Sequence, residues 1–127
     1  MTCILVIEDD EQVRVFAEAI LQEAGYSTLT AATAQESLAI LKDDQTIDLV
    51  FTDIQLGDDH EGGLRVAKEA VSLRPGIPVL YVTGAGVTDG TKALFVDDWS
   101  FLSKPYTPDD LIIAVKNALR DGSGRTQ

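Results

Sequence analysis

The chain has 127 residues, 45% of them hydrophobic and 24% charged, which is ordinary for one globular domain and excludes a disordered chain. Its formal net charge of −11 repels phosphate backbones, so we expect no direct DNA binding. The single cysteine, Cys3, excludes an internal disulfide. We find no membrane span and no signal peptide, and therefore expect a cytoplasmic location.

Five short apolar segments along the chain are typical of β-strands. In chain order they are CILVI (3–7), STLTA (27–31), IDLVFT (47–52), PVLYV (78–82) and SFLS (100–103). The third and fourth are apolar without clean alternation, as expected for strands that are buried on both faces of a parallel sheet.

Amphipathic helices are predicted between these strands. The first covers about residues 13–24 and ends at Gly25, which suits a helix C-terminus. The second opens with a capping box formed by Thr33 and Glu36. The third covers about 64–73 and stops before a proline.

The last two helices differ in the strength of their signal. The fourth, within 88–96, is interrupted by Gly90 and should be short. The fifth begins with Thr107 as N-cap and Pro108 at the first helical position. Strict alternation of strands and helices indicates a parallel sheet covered on both faces. We expect one domain over 1–121 and a disordered tail over 122–127.

Four of the predicted strands lead into residues with chemically useful groups. These are Asp9 and Asp10 after the first strand, Asp53 after the third, Thr83 and Gly84 after the fourth, and Lys104 with Pro105 after the fifth. The carboxyl ends of parallel strands share one edge of the sheet, where α/β proteins bind ligands, so these groups should converge.

Three converging carboxylates repel one another, by about 4 kcal/mol per pair at roughly 4 Å and an effective dielectric near 20. A divalent cation offsets that repulsion, and an oxygen-rich set of two or three ligands suits Mg²⁺, with Mn²⁺ as an alternative. A phosphoryl group on Asp53 would supply the anion that Lys104 and Thr83 could bind. By the period of two along a strand, Glu8 points away from Asp9 and is expected to be structural, whereas Asp10 could instead be a helix N-cap.

Over about residues 2–120 the sequence resembles the receiver domain of two-component response regulators. The resemblance rests on the acidic pair Asp9–Asp10, on Asp53, on Thr83 and on the Lys-Pro dipeptide at 104–105. It implies a flavodoxin-like α/β fold, a doubly wound parallel sheet of five strands in the order 2-1-3-4-5 with five helices.

The resemblance also implies a chemistry. Asp53 would accept a phosphoryl group from the phosphohistidine of a sensor histidine kinase or a histidine phosphotransfer protein. Magnesium would be held by Asp10 and Asp53 directly, by Asp9 through water and by the backbone carbonyl of Gln55. Such a protein catalyses its own phosphorylation and slow dephosphorylation and is not a turnover enzyme.

The remaining residues of the motif would bind and read the phosphoryl group. Lys104, Thr83 and Gly84 would contact its oxygens, and Pro105 is a candidate for a cis peptide. Thr83 would move inward and Phe101 would follow it. The changed surface would comprise helix four, strand five and helix five, where it would bind a downstream protein or a second copy of the chain. Residues expected on that surface are Lys92, Asp97, Asp98, Trp99 and Tyr106, although Trp99 could instead pack beneath the loop.

Several features depart from the family pattern. Leu56-Gly57 and the acidic stretch GDDHEGG follow Asp53 where many members have Met-Pro, so this loop should be more flexible. The only histidine, His60, is expected to be an exposed loop residue within it. Phe101 stands where tyrosine is commoner.

The residues exclude two other functions and leave a third as an alternative. A flavodoxin-type protein needs a phosphate-cradling loop after the first strand, and acids there exclude it. A haloacid-dehalogenase-like phosphatase needs a second acid where this chain has Gln55. A pseudo-receiver that binds partners without phosphorylation remains the alternative. A stand-alone regulator and a receiver excised from a larger hybrid kinase fit the sequence equally well.

Overall fold

Ten alternating elements are seen in the computed structural model, which describes residues 1–43, 45–84 and 87–124. The strands are β1 (Cys3–Ile7), β2 (Ser27–Ala31), β3 (Leu49–Asp53), β4 (Val79–Thr83) and β5 (Trp99–Ser103). The helices are α1 (Glu11–Glu23), α2 (Ala34–Lys42), α3 (Gly62–Leu73), α4 (Asp89–Lys92) and α5 (Pro108–Gly124). The strands form one parallel sheet in the order β2-β1-β3-β4-β5, which confirms the predicted fold.

The ends of the strands determine where the candidate site residues lie. β1 and β2 have the predicted bounds, whereas β3 begins two residues late because the carboxylate of Asp48 accepts the Cys3 N–H at 2.8 Å. The Asp48 N–H in turn donates to the Cys3 carbonyl at 2.8 Å. At the other end, β3 and β4 include Asp53 and Thr83 as their last residues, so the sheet itself holds both.

Side-chain caps define several helix starts. The Asp10 carboxylate accepts the N–H groups of Gln12 and Val13 at 2.9 and 3.2 Å and so caps α1. At α5, the Thr107 hydroxyl accepts the Asp110 N–H and the Asp110 carboxylate accepts the Thr107 N–H, each at 3.0 Å. These local bonds explain why both helices could be predicted.

Two hydrophobic cores lie on opposite faces of the sheet. On one face, α1 and α5 pack against β1, β3 and β4 through residues such as Leu21 and Leu111. On the other face, α2 and α3 cover the sheet through residues such as Leu41 and Ala67. The strands of the middle of the sheet are therefore buried on both sides, as their unbroken apolar runs predicted.

An aromatic cluster, formed by Tyr81, Phe95 and Trp99, completes the second core beside the one-turn helix α4. The Tyr81 and Phe95 rings stack with centroids 4.1 Å apart, and Phe95 meets Trp99 edge-on at 4.9 Å. The buried Tyr81 hydroxyl accepts the Val96 N–H at 3.2 Å. Trp99 was expected either on an interaction surface or packed beneath a loop, and it lies half-buried in this cluster.

The carboxyl-terminal helix extends past the expected domain end at 121, since α5 runs to Gly124. The rest of the predicted tail, 125–127, lies outside the described residues, and the domain boundary stays a prediction. Within the part of the chain that the structure describes, no helix is both long and apolar enough to cross a bilayer.

Candidate functional site

A cleft of about 370 Å³ opens at the carboxyl edge of the sheet, where β1, β3, β4 and β5 end. The edge therefore gathers most of the residues selected from the sequence, together with Glu8 and Gly57. The predicted residues that line it are Asp9, Asp10, Asp53, Gln55, Thr83, Gly84 and Lys104.

Lys104 bridges two carboxylates in this cleft. Its Nζ lies 2.8 Å from Asp53 Oδ2 and 2.7 Å from Glu8 Oε1. Partial burial alone would lower the pKa of the Lys104 ammonium, but the hydrogen bonds and charges of Asp53 and Glu8 raise it above its usual value. Lys104 is thus a fixed cation beside Asp53.

Glu8 is a buried acid, only 4% exposed. Burial raises the pKa of its carboxyl group, and the nearby Asp53 charge adds to that rise, while hydrogen bonds from Lys104 and the Asp10 N–H oppose it. The Glu8 carboxylate therefore lies beside Asp53 at an electrostatic cost, and the positive charge of Lys104 offsets only part of that cost.

The acidic set differs by one residue from the predicted one. Carboxylate oxygens of Glu8, Asp9 and Asp53 lie within 4.8 Å of one another. Asp10 lines the cleft, but its carboxylate caps α1 by accepting two backbone N–H groups. The expectation that Glu8 points away from Asp9 is wrong, because both side chains belong to this acidic set, and the N-cap alternative considered for Asp10 is the arrangement observed.

The reason for this difference is the position of Glu8. β1 ends at Ile7, and Glu8 keeps one further hydrogen bond to β2, from its N–H to the Ala31 carbonyl at 3.0 Å. Beyond this bond the alternation of side chains along the strand no longer separates Glu8 from Asp9. Lys104, which comes from the far end of the sequence, then draws Glu8 into the cleft. The sequence signal for Glu8 was its place directly after the last apolar residue of the strand.

The donor set of the cleft fits a hard divalent cation. Glu8, Asp9 and Asp53 supply three carboxylates, while Lys104 supplies a single compensating charge. Carboxylate oxygens with access to water are the ligands that Mg²⁺ accepts, because it retains part of its hydration shell. The residues present therefore suit the metal that the sequence predicted.

The other predicted residues occupy separate positions. Thr83 ends β4 and is 9% exposed, and its carbonyl accepts the Lys104 N–H at 2.9 Å. The Lys104–Pro105 peptide is cis, as predicted. Phe101 pairs with Tyr81 in the β4–β5 register and packs against the second core, away from the cleft lining.

The loop after β3 makes several contacts within itself, and its expected flexibility stays a prediction. The Gln55 side-chain amide donates to the Gly57 carbonyl at 3.1 Å, and Leu56 and Asp59 exchange backbone hydrogen bonds. An ion pair joins Arg65 to Asp59, and His60 is exposed as expected. Gln55 also lines the cleft.

An apolar cleft of about 410 Å³ adjoins the acidic one and shares Gly84 and Lys104 with it. Its walls include Tyr106, whose ring stacks on Phe16 with centroids 6.3 Å apart. Burial, with a smaller contribution from the negative charge of Glu8, raises the pKa of the Tyr106 phenol to about 12. Tyr106, which we expected on the output surface, is half-buried and lines this apolar cleft.

Comparisons with known proteins agree with this geometry. The sequence profile of the response regulator receiver domain matches residues 4–116. The transcriptional regulatory protein GlrR of Escherichia coli (strain K12) is 31% identical over 124 residues, which are 97% of this chain and 27% of that protein. Nitrogen assimilation regulatory protein NtrX of Azorhizobium caulinodans is 28% identical over 117 residues, 91% of this chain and 26% of that protein. The chain spans about a quarter of the length of these curated relatives.

Solved structures give the same result at the level of the fold. A CheY-like response regulator receiver domain protein from Methanospirillum hungatei superposes with a TM-score of 0.84 at 30% identity, covering 98% of both chains. A response regulator receiver protein from Sinorhizobium medicae gives a TM-score of 0.85 at 28% identity, covering 95% of this chain and 96% of that one.

Proposed function

This chain belongs to the response regulator receiver domain family, and from that premise we propose that Asp53 is the phosphoacceptor of a two-component phosphorelay. The observation that carries the proposal is the position of Asp53. It ends β3 inside an acidic cleft, 8% exposed, with the Lys104 ammonium 2.8 Å from its Oδ2. A carboxylate beside a fixed cation can take up a phosphoryl group whose new charge is already compensated.

The transfer step is a displacement at phosphorus. A carboxylate oxygen of Asp53 attacks the phosphorus of a donor phosphohistidine, the new P–O bond forms, and the P–N bond breaks with its electron pair moving to the imidazole. Lys104 changes partner from the Asp53 carboxylate to a phosphoryl oxygen. Thr83 and Gly84, which line the same cleft, contact the other oxygens.

A divalent cation, Mg²⁺ or Mn²⁺, would be held by Glu8, Asp9 and Asp53, with the backbone carbonyl of Gln55 as a further ligand. When bound, it neutralises negative charge on the phosphoryl oxygens. Asp10 serves this set indirectly, because its N–H donates to Glu8 Oε2 at 3.1 Å while its carboxylate fixes the start of α1.

The phosphorylated chain acts as a stored signal rather than as a turnover enzyme. Gln55, two residues after the acceptor, offers an amide instead of the carboxyl group that would activate water for rapid hydrolysis. The phosphoryl donor is a sensor histidine kinase or a histidine phosphotransfer protein.

Phosphorylation of Asp53 changes the conformation of one face of the domain, which is the output of the switch. Thr83 moves toward the phosphoryl group and Phe101 follows, which alters the face made by α4, β5 and α5. This face binds a downstream protein or a second copy of the chain. Support comes from the short α4, a single turn over Asp89–Lys92 in which no residue is buried, so little packing opposes a rearrangement.

The test of the proposed function is intact-mass spectrometry after incubation with acetyl phosphate and Mg²⁺. We expect addition of one phosphoryl group, no addition without a divalent cation, and no addition to Asp53→Asn, whose side chain has nearly the same shape. Addition to Asp53→Asn at the same rate would place the acceptor elsewhere. If neither acetyl phosphate nor a range of phosphohistidine donors modifies the wild-type chain, the pseudo-receiver alternative replaces this proposal.

A further inference from the structure

The first turn of α3 lies directly against the peptide that follows Asp53. Gly63 is buried there, and its N–H donates to the Ile54 carbonyl at 2.9 Å. A Cβ at this position would overlap the Asp53 carbonyl oxygen and would lie 2.8 Å from its carbonyl carbon and 2.9 Å from Ile54 Cα. All three atoms belong to the backbone, so a side chain at Gly63 could be accommodated only by moving the peptide or the helix.

The same peptide is held from its other sides. The buried Thr52 hydroxyl donates to the Asp53 carbonyl at 2.9 Å, and the Ile54 N–H donates to the Val82 carbonyl at 3.0 Å. Thr52, Gly63 and β4 thus enclose the backbone that carries the Asp53 carboxylate. A displacement by α3 would be passed to that carboxylate and to its 2.8 Å contact with Lys104.

The neighbouring Gly62 provides the contrast. A Cβ there would meet Leu56 Cβ at 3.1 Å, Leu56 Cδ1 at 3.2 Å and Asp59 Cγ at 3.3 Å. These contacts are with side chains of the loop and need a shift of only a few tenths of an ångström there, and none of the three is with the Asp53 peptide. Gly62 and Gly63 share the same helix turn, so their alanine variants change helix propensity in the same sense.

We infer that Gly63 is a positioning residue for phosphoryl transfer, acting through the main chain of Asp53; this inference rests on the proposed function. By leaving no side chain between α3 and β3, Gly63 lets the helix press on the peptide of the acceptor and fixes its carboxylate relative to Lys104, Glu8 and Asp9. Reactions of positioned groups lose on the order of 100-fold in rate for a displacement of 1 Å. The close approach of α3 to the Asp53 peptide therefore determines the rate at which Asp53 is phosphorylated.

The experiment compares wild type, Gly62→Ala and Gly63→Ala. Initial rates of phosphorylation by acetyl phosphate at saturating Mg²⁺ are measured at a temperature where circular dichroism shows each variant to be fully folded, so that reduced stability alone leaves the rate unchanged. We expect Gly63→Ala to be at least about 10-fold slower than wild type and Gly62→Ala to stay within about threefold. Equal rates in the two alanine variants would overturn the inference. A wild-type chain that takes up no phosphoryl group would instead refute the proposed function.

A spectroscopic signature separates positioning from a general loss of packing. In Gly63→Ala the amide resonances of Asp53 and Ile54 should shift, whereas in Gly62→Ala the changes should centre on Leu56 and Asp59. If Gly63→Ala does not fold, Thr52→Val decides the matter, because it removes the hydroxyl on the other side of the same carbonyl while keeping the shape of the side chain. A severalfold slower rate in this variant supports positioning through the Asp53 peptide, and an unchanged rate overturns it.

Discussion

Glu8 and Asp10 lie two residues apart and have different roles, which charge-neutral variants can separate. Glu8→Gln removes a carboxylate from the acidic cleft, so we expect the affinity for Mg²⁺ to fall by roughly 10-fold or more. Asp10→Asn keeps an oxygen that can accept the Gln12 and Val13 N–H groups, so the affinity should change by no more than about threefold. Isothermal titration calorimetry measures the Mg²⁺ affinity of both variants and of the wild type.

Asp9→Asn serves as the positive control, since Asp9 belongs to the same cluster as Glu8. A larger loss of affinity in Asp10→Asn than in Glu8→Gln would return Asp10 to the metal site. The originally predicted pair, Asp9 and Asp10, would then be correct.

Tyr106 gives the fold a dependence on alkaline pH. Its pKa is raised to about 12 in the folded chain, against about 10 in the unfolded chain. Between these values the unfolded state loses the phenolic proton and the folded state keeps it, so the contribution of Tyr106 to stability is constant below pH ~10 and falls as the pH rises toward 12. Wild type should therefore lose roughly 1 kcal/mol more than Tyr106→Phe between pH ~9 and ~11.

Urea unfolding of both proteins at the two pH values measures this difference. Tyr106→Phe keeps the aromatic contact with Phe16 and removes only the titrating group, so other groups cancel in the comparison. Equal losses in the two proteins would show that the phenol is solvated in the folded state.

At the scale of elements, Tyr81 anchors the segment that follows α4. Tyr81→Phe keeps the ring stacked on Phe95 but removes the oxygen that accepts the Val96 N–H. Loss of the acceptor for this partly buried group should lower the free energy of unfolding by about 1–2 kcal/mol. Hydrogen exchange of the Val96 amide should become faster, which NMR can follow residue by residue.

The matched control is Tyr26→Phe, which removes a phenolic hydroxyl from a ring packed against the opposite core. It should leave exchange at Val96 unchanged. Slower or unaltered exchange in Tyr81→Phe would mean that the hydrogen bond does not hold this segment.

Element boundaries were predictable where local chemistry determines them. The caps at Thr33 and Thr107, the end of α1 before Gly25 and the weakness of α4 all follow from short-range preferences, and Gly25 has a φ of +100°. The start of α3 at Gly62 was missed, since two adjacent glycines disfavour a helix. Gly63 is required by a tertiary contact with the end of β3, which no local pattern reveals.

The candidate site, like the element boundaries, was predictable only in part. Its convergence followed from topology, because the carboxyl ends of parallel strands meet at one edge. The choice among three consecutive acids did not follow, because it depends on Lys104, nearly a hundred residues away, reaching Glu8. The aromatic cluster was likewise hidden, since Phe95 precedes β5 and shows no period that links it to Tyr81.

At the scale of the whole molecule, cation binding should stabilise the fold. A ligand at about 100 times its dissociation constant adds about 2.7 kcal/mol if it binds only the folded state. We therefore expect Mg²⁺ to raise the melting temperature by several degrees, and EDTA to reverse the effect. Differential scanning calorimetry provides the measurement.

Because the net charge is −11, any salt also relieves self-repulsion, so NaCl at matched ionic strength is the essential control. NaCl should give a smaller increase than Mg²⁺. Equal increases in wild type and in Asp9→Asn would assign the whole effect to screening and none to the cleft.

The position of Trp99 gives the chain a built-in optical probe. It is the only tryptophan in the sequence, and its half-buried indole lies edge-on to Phe95 at the first residue of β5. Lys104 follows the last residue of the same strand, so five residues, roughly 16 Å of extended backbone, separate the indole from the reacting end. A change in Trp99 fluorescence on phosphorylation would therefore show when a structural change reaches the far end of β5. Stopped-flow fluorescence can follow it in the unlabelled protein.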